Sequence, residues 1–112
     1  MEPVWLVSKG NVLASADLAT SRAERRRGLI GAGTVTTPLV LQPCNWVHSV
    51  GMRTAIDVAY VDADGNVIDV RCLRPFRVAP LNRRAVTVIE AAQGSFERWG
   101  LSCGDTVEIR RP

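Results

Sequence analysis

The stretch Cys44–Val61, CNWVHSVGMRTAIDVAYV, holds the chain's single histidine, one of its three cysteines, an arginine, and an aspartate set inside an apolar pattern. These residue types can move a proton or hold an anion. His48 can change charge near neutral pH. Arg53 offers a planar donor fork that matches a carboxylate or phosphate. Asp57 can orient a histidine or pair with an arginine. His48 and Asp57 are the candidate catalytic residues, in a hydrolase or isomerase where His48 is acid and base and Asp57 or Arg53 supports it. Trp46, His48, Met52, Arg53 and Asp57, joined by Arg27 and Glu90, are the candidate binding set for a small polar or anionic ligand. Trp46 and Met52 would either floor such a pocket or plug the core. A nucleophile made of Cys44 or Ser49 with His48 has less support: only proximity in sequence suggests it, and Pro43 disfavours the helix that would bring Cys44 and His48 together. Cys44, His48, Asp57 and Cys103 form no recognised metal-ligand array, so no metal and no cofactor is expected.

A second group is basic: Arg22, Arg25, Arg26 and Arg27, with Arg71, Arg74 and Arg77 further on. Thirteen of the 14 basic residues are arginine, yet the formal net charge is only +3. That balance and the absence of a recognised nucleic-acid motif disfavour a nucleic-acid partner, although Phe76 and Trp99 could add stacking surfaces. A protein partner is the remaining reading, and it requires an exposed apolar patch without a concave polar cleft.

The elements that would position these groups are short. Val4–Val7 and Val12–Ala16 read as a hairpin around Lys9-Gly10-Asn11. Ser21 and Glu24 have capping-box spacing, which predicts a helix from Arg22 to Leu29 closed near Gly31. Gly31–Thr37 reads as a loop, and its glycines lack the lysine and serine of a phosphate loop. Pro38–Leu41 is a short strand. Ala55–Val61 is the clearest central strand, with Ile56, Val58 and Tyr60 on one face and Ala55, Asp57, Ala59 and Val61 on the other. Both faces are largely apolar, so both should be covered. Asp57 then needs donors or a positive partner, because desolvating a carboxylate is costly. Asp62–Gly65 turns the chain into a strand over Asn66–Cys72. Ala85–Ala92 is a further strand, with Glu90 as its carboxylate. A helical turn runs from Gly94-Ser95 through Trp99 and ends at Gly100. Thr106–Ile109 is the last strand, with Val107 and Ile109 inward and a loose tail after it.

Six to eight short strands and two short helices predict a mainly β fold, a compact distorted sandwich or barrel-like domain. The 112 residues suit one domain, residues 1–112. No apolar run is long enough for a membrane span. The first residues lack the charged-then-apolar order of a secretory signal, and the three cysteines make no disulfide framework, so a cytoplasmic location is expected.

The motifs RRRGLI at 25–30, HSVGMRTAIDVAYVDADGNVIDV at 48–70 and VIEAAQGSFERWGLSCGDTV at 88–107 resemble the prokaryotic family known as domain of unknown function 192. The resemblance covers about residues 14–109. It implies a compact β-rich fold and no particular reaction. Its family positions fall on Arg27, Gly28 and Leu29, on Met52, Ile56 and Asp57, and on Glu90, Gly94, Gly104 and Asp105. The resemblance departs at one place: many members of that family carry an aromatic residue and a Trp-Met-Lys-Asn-type segment where this chain has HSVGMRT. His48 therefore sits where those relatives are differently polar.

Overall fold

A computed structural model describes residues 1–27 and 37–112. Seven strands and two short helices follow in the order β1 (Glu2–Ser8), β2 (Asn11–Ala19), α1 (Arg22–Arg27), β3 (Leu39–Leu41), β4 (Ile56–Val61), β5 (Val67–Leu73), β6 (Thr87–Ala92), α2 (Ser95–Trp99) and β7 (Glu108–Arg110). The expected continuation of α1 to Leu29, the loop from Gly31, and the side chain of Arg27 lie outside the described residues.

The strands form one mixed sheet in the order β5-β4-β6-β3-β2-β1-β7. Among the described strands only β2 and β3 run parallel, pairing Asp17 to Leu39 and Ala19 to Leu41. This pairing is why β2 extends past the predicted end at Ala16. The two outer strands meet through the chain just before them. Val67 N–H donates to Asp105 O, Gly104 N–H to Val67 O and Val107 N–H to Gly65 O, each at 2.8 Å. The sheet therefore rolls up and closes, the barrel-like alternative of the two expected. Because residues 104–107 are spent on this closure, β7 proper begins at Glu108, two residues later than predicted. The tail is not loose throughout: Arg110 pairs with Trp5 in the sheet, and Arg111 forms an ion pair with Glu2.

Side-chain alternation gives the sheet two apolar faces. Val4, Leu6, Val40, Ala59, Val61, Ile89, Phe96 and Val107 fill one side. Ile56, Val58, Tyr60, Leu39, Leu41 and Val88 face the other side, where Val47, Met52 and Ala79 from two loops cover them. Strand β4 is buried at every residue, as its two-faced apolar pattern requires. Helix α1 starts at the predicted capping box. Ser21 Oγ accepts Glu24 N–H at 3.1 Å, and Glu24 Oε1 accepts the N–H groups of Ser21 and Thr20 at 3.1 and 2.8 Å.

Candidate functional site

The loops before β4 and before β6 lie side by side. An antiparallel bridge joins His48 to Val78. Around it, Phe76 N–H donates to Ser49 O (2.9 Å), Ser49 N–H to Arg77 O (2.8 Å), Ala79 N–H to Val47 O (3.1 Å) and Asn82 N–H to Asn45 O (3.0 Å). The result is a two-stranded ribbon laid over one face of the sheet. Alternation along it sends Val47, Ser49 and Ala79 inward, all buried. It sends Trp46, His48, Val50, Phe76 and Val78 outward.

Ser49 fixes the middle of this ribbon. Its hydroxyl donates to Arg74 O and accepts Arg77 N–H at 2.8 Å. These bonds hold the turn in which Phe76 takes φ of 60°, a left-handed conformation that a bulky L-residue rarely adopts. Tyr60 reaches from β4 to donate its hydroxyl to Pro80 O at 2.6 Å, and burial pushes that hydroxyl's pKa up. Phe76 is 64% exposed, Val78 61%, Leu81 53%, Val50 48% and Trp46 43%. The segments 42–56 and 72–89 contain no Asp or Glu and carry Arg53, Arg74, Arg77, Arg83 and Arg84. All five arginines are exposed, and none forms an ion pair among the described residues.

The residues singled out by chemistry separate in space. Trp46 and His48 come together, with ring centroids 5.7 Å apart, and His48 Nδ1 accepts Val50 N–H at 3.2 Å. That bond leaves the proton of a neutral ring on Nε2. Arg53 is exposed on the same loop, whereas Met52 is buried in the packing against β4. Asp57 points to the opposite face of the sheet. Its Oδ2 accepts the N–H groups of Gly94 and Phe96 at 3.0 and 3.1 Å, at the start of α2. His48 and Asp57 therefore stand on opposite sides of β4. Glu90 is buried on the face of Val58 and Leu39, its partners in register, and so also lies across the sheet from Asp57. Cys44 donates to Trp46 O at 3.2 Å, and burial, reinforced by the negative charge of Glu90, pushes its thiol pKa up. The protonated thiol is a poor nucleophile. No cluster of three or more metal-ligating side chains occurs among the described residues.

Sequence reasoning did not place Val50, Val78 and Leu81 in a common patch with Phe76 and Trp46. The available signal was the long acid-free run after Asp69, in which Phe76 and Leu81 are apolar residues beside prolines.

A closed mixed sheet with two short helices and an apolar ribbon laid across one face defines the class. The chain belongs to the domain of unknown function 192 family, described as "Uncharacterized ACR", whose model matches residues 4–109. A UPF0127 protein of Pyrococcus furiosus is 34% identical over 65 residues, 58% of this chain and 56% of that protein. A UPF0127 protein of Pyrococcus abyssi is 36% identical over 62 residues, 55% and 53% of the two chains. These matches span about half the length of the curated relatives. Two solved structures share the fold. One is a protein of unknown function from Novosphingobium aromaticivorans DSM 12444, with TM-score 0.76 and 21% identity over 95% of this chain and 83% of that one. The other, from Sinorhizobium meliloti 1021, has a name that proposes a transcription regulator; its TM-score is 0.78, with 20% identity over 96% and 92% of the two chains.

Proposed function

We propose that this protein is an interaction module whose outward ribbon docks an acidic segment of another protein around an apolar anchor. The observation that carries this reading is Phe76, an exposed aromatic side chain held in a left-handed backbone conformation beside other exposed apolar side chains. A strained residue of this kind persists only when its surroundings hold it, and such residues concentrate at binding and switch sites. The composition agrees. Trp, Phe and Arg are enriched in protein interfaces and Lys is depleted; these two segments carry aromatics and arginines and no lysine. The unpaired positive charge favours an acidic partner. Val50, Val78 and Leu81 present no stacking plane, so the ridge suits apolar side chains better than nucleic-acid bases. Trp46 and His48, two of the candidate binding residues, belong to this surface, and Arg53 is exposed on the loop that follows it. The proposed location is the cytoplasm: Cys44, Cys72 and Cys103 are free thiols and two of them are exposed, which suits a reducing compartment.

The test is selection of a random peptide library on the purified protein, with counter-selection on the Trp46→Ser/Phe76→Ser variant. Enrichment of peptides with Asp or Glu around a Leu, Phe or Trp is the expected result. Enrichment of neutral or basic peptides, equal capture by the variant, or no enrichment overturns the reading. So does stronger ridge-dependent binding to a single-stranded oligonucleotide or to vesicles of anionic lipid.

A further inference from the structure

Strand β3 is three residues long, and both neighbours run past its start. Its pairing with β2 begins at Asp17 and its pairing with β6 ends at Glu90, so Ala14 on one side and Ala92 on the other continue beyond it. The sheet is notched there. Small side chains at the notch leave a groove of about 380 Å³, bounded by Ala14, Pro38 and Ala92 and by Ser95, Arg98 and Trp99 of α2. The volume lies within the range of about 300–1,000 Å³ usual for small-molecule sites.

Helix α2 is held over the notch by Asp57, through its bonds to Gly94 and Phe96 N–H. Phe96 is buried in the core and packs on Trp99 with ring centroids 5.5 Å apart, which orients the indole. Among the described residues Arg98 is the one charged side chain lining the groove. Its Nη2 donates to Ser95 Oγ at 3.1 Å, which holds the guanidinium against the helix. Among the described residues no carboxylate pairs with it. The groove thus combines small apolar residues and an indole with the hydroxyls of Ser15 and Ser95 and a guanidinium with donors to spare.

We infer that this groove is a binding site for a small aromatic carboxylate. The carboxylate accepts from Arg98, and the ring lies along Trp99, Pro38 and the two alanines. Arg suits this task because its planar donors match the two carboxylate oxygens. The site shares no residue with the ribbon and stands independently of the docking reading.

The experiment titrates ¹⁵N-labelled protein with benzoate, and with benzamide as the neutral isostere, following the backbone signals of Ser95 and Arg98 and the Trp99 indole N–H. Benzoate should produce saturable shifts at these groups with half-saturation of about 1–10 mM, as expected for a ligand of so few atoms. Benzamide should bind at least about tenfold more weakly, and Arg98→Gln should weaken benzoate by a similar factor. Arg98 is exposed, so this variant leaves the fold intact, which its unshifted core signals would show. Equal affinity for the two compounds, unchanged benzoate binding in Arg98→Gln, or shifts that do not saturate would overturn the assignment.

Discussion

Asp57→Ala should destabilise the fold by about 2–4 kcal/mol. Asp57 is 8% exposed, and its Oδ2 alone satisfies two of the N–H groups that the short helix α2 leaves without a helical acceptor. A hydrogen bond to a charged group contributes about 1.5–3 kcal/mol, and a buried donor left unmade costs about 1–3 kcal/mol. The Phe96 N–H bond is buried and its loss counts in full. The Gly94 N–H bond is part-buried, and water recovers some of its loss. With a urea m-value of about 2 kcal/mol/M, the unfolding midpoint should fall by roughly 1–2 M. Asp57→Asn keeps an oxygen acceptor without the charge and should lose only about 1 kcal/mol. Urea unfolding followed by tryptophan fluorescence, with Trp99 on α2 as a local reporter, measures both variants. A change below about 0.5 kcal/mol for Asp57→Ala, or equal losses for the two variants, would refute the assignment of Asp57 as the anchor of α2.

Four further substitutions separate the structural devices. Gly65→Ala places a Cβ 2.8 Å from Val107 O at a φ of +86°, inside the contact that closes the sheet, and should cost over about 2 kcal/mol in the same assay. Gly10→Ala, at a φ of +78° with open space around it, should cost only about 1 kcal/mol. Glu24 has its carboxyl pKa lowered to about 2, first by the Met1 ammonium and then by the Thr20 and Ser21 donors. Because the folded-state pKa is the lower one, its contribution is present above the ordinary carboxylate value near 4.5 and is lost as pH falls towards about 2. Glu24→Gln should flatten thermal stability against pH in that window, and an unchanged slope would contradict it. Ser49→Ala should release the 74–77 turn, shown by faster amide exchange at Phe76 and Arg77, while β1 and β2 keep their protection.

Much of the fold can be read from local pattern. The alternation in β4 correctly demanded cover on both faces, and Ser21 with Glu24 marked the start of α1. Asp57 was legible as a carboxylate in need of donors. Its donors were not, because they are backbone N–H groups 37 and 39 residues away. Closure through residues 65–67 and 104–107 also rests mainly on backbone bonds, with Thr106 Oγ1 to Asn66 Oδ1 at 3.3 Å as a side-chain bond across it, and such a pair carries little signal in sequence. The ridge was hidden for a related reason. Trp46 and Val50 become neighbours of Phe76 and Val78 only after two proline-punctuated loops pair across a gap of about 30 residues. The apparent constellation of His48, Arg53 and Asp57 came from proximity in sequence, and the odd position of Asp57 in β4 turned its side chain to the other face.

The account centres on the ribbon as a docking surface. Its most direct test is calorimetric titration of an enriched acidic peptide into the wild type and into Trp46→Ser/Phe76→Ser, after urea unfolding has shown the two to be equally stable. Truncating an anchor aromatic in an interface costs about 2 kcal/mol or more and two such losses need not add, so affinity should fall by at least about thirtyfold and weaken further in high salt. Equal affinity for the two proteins would contradict the central claim.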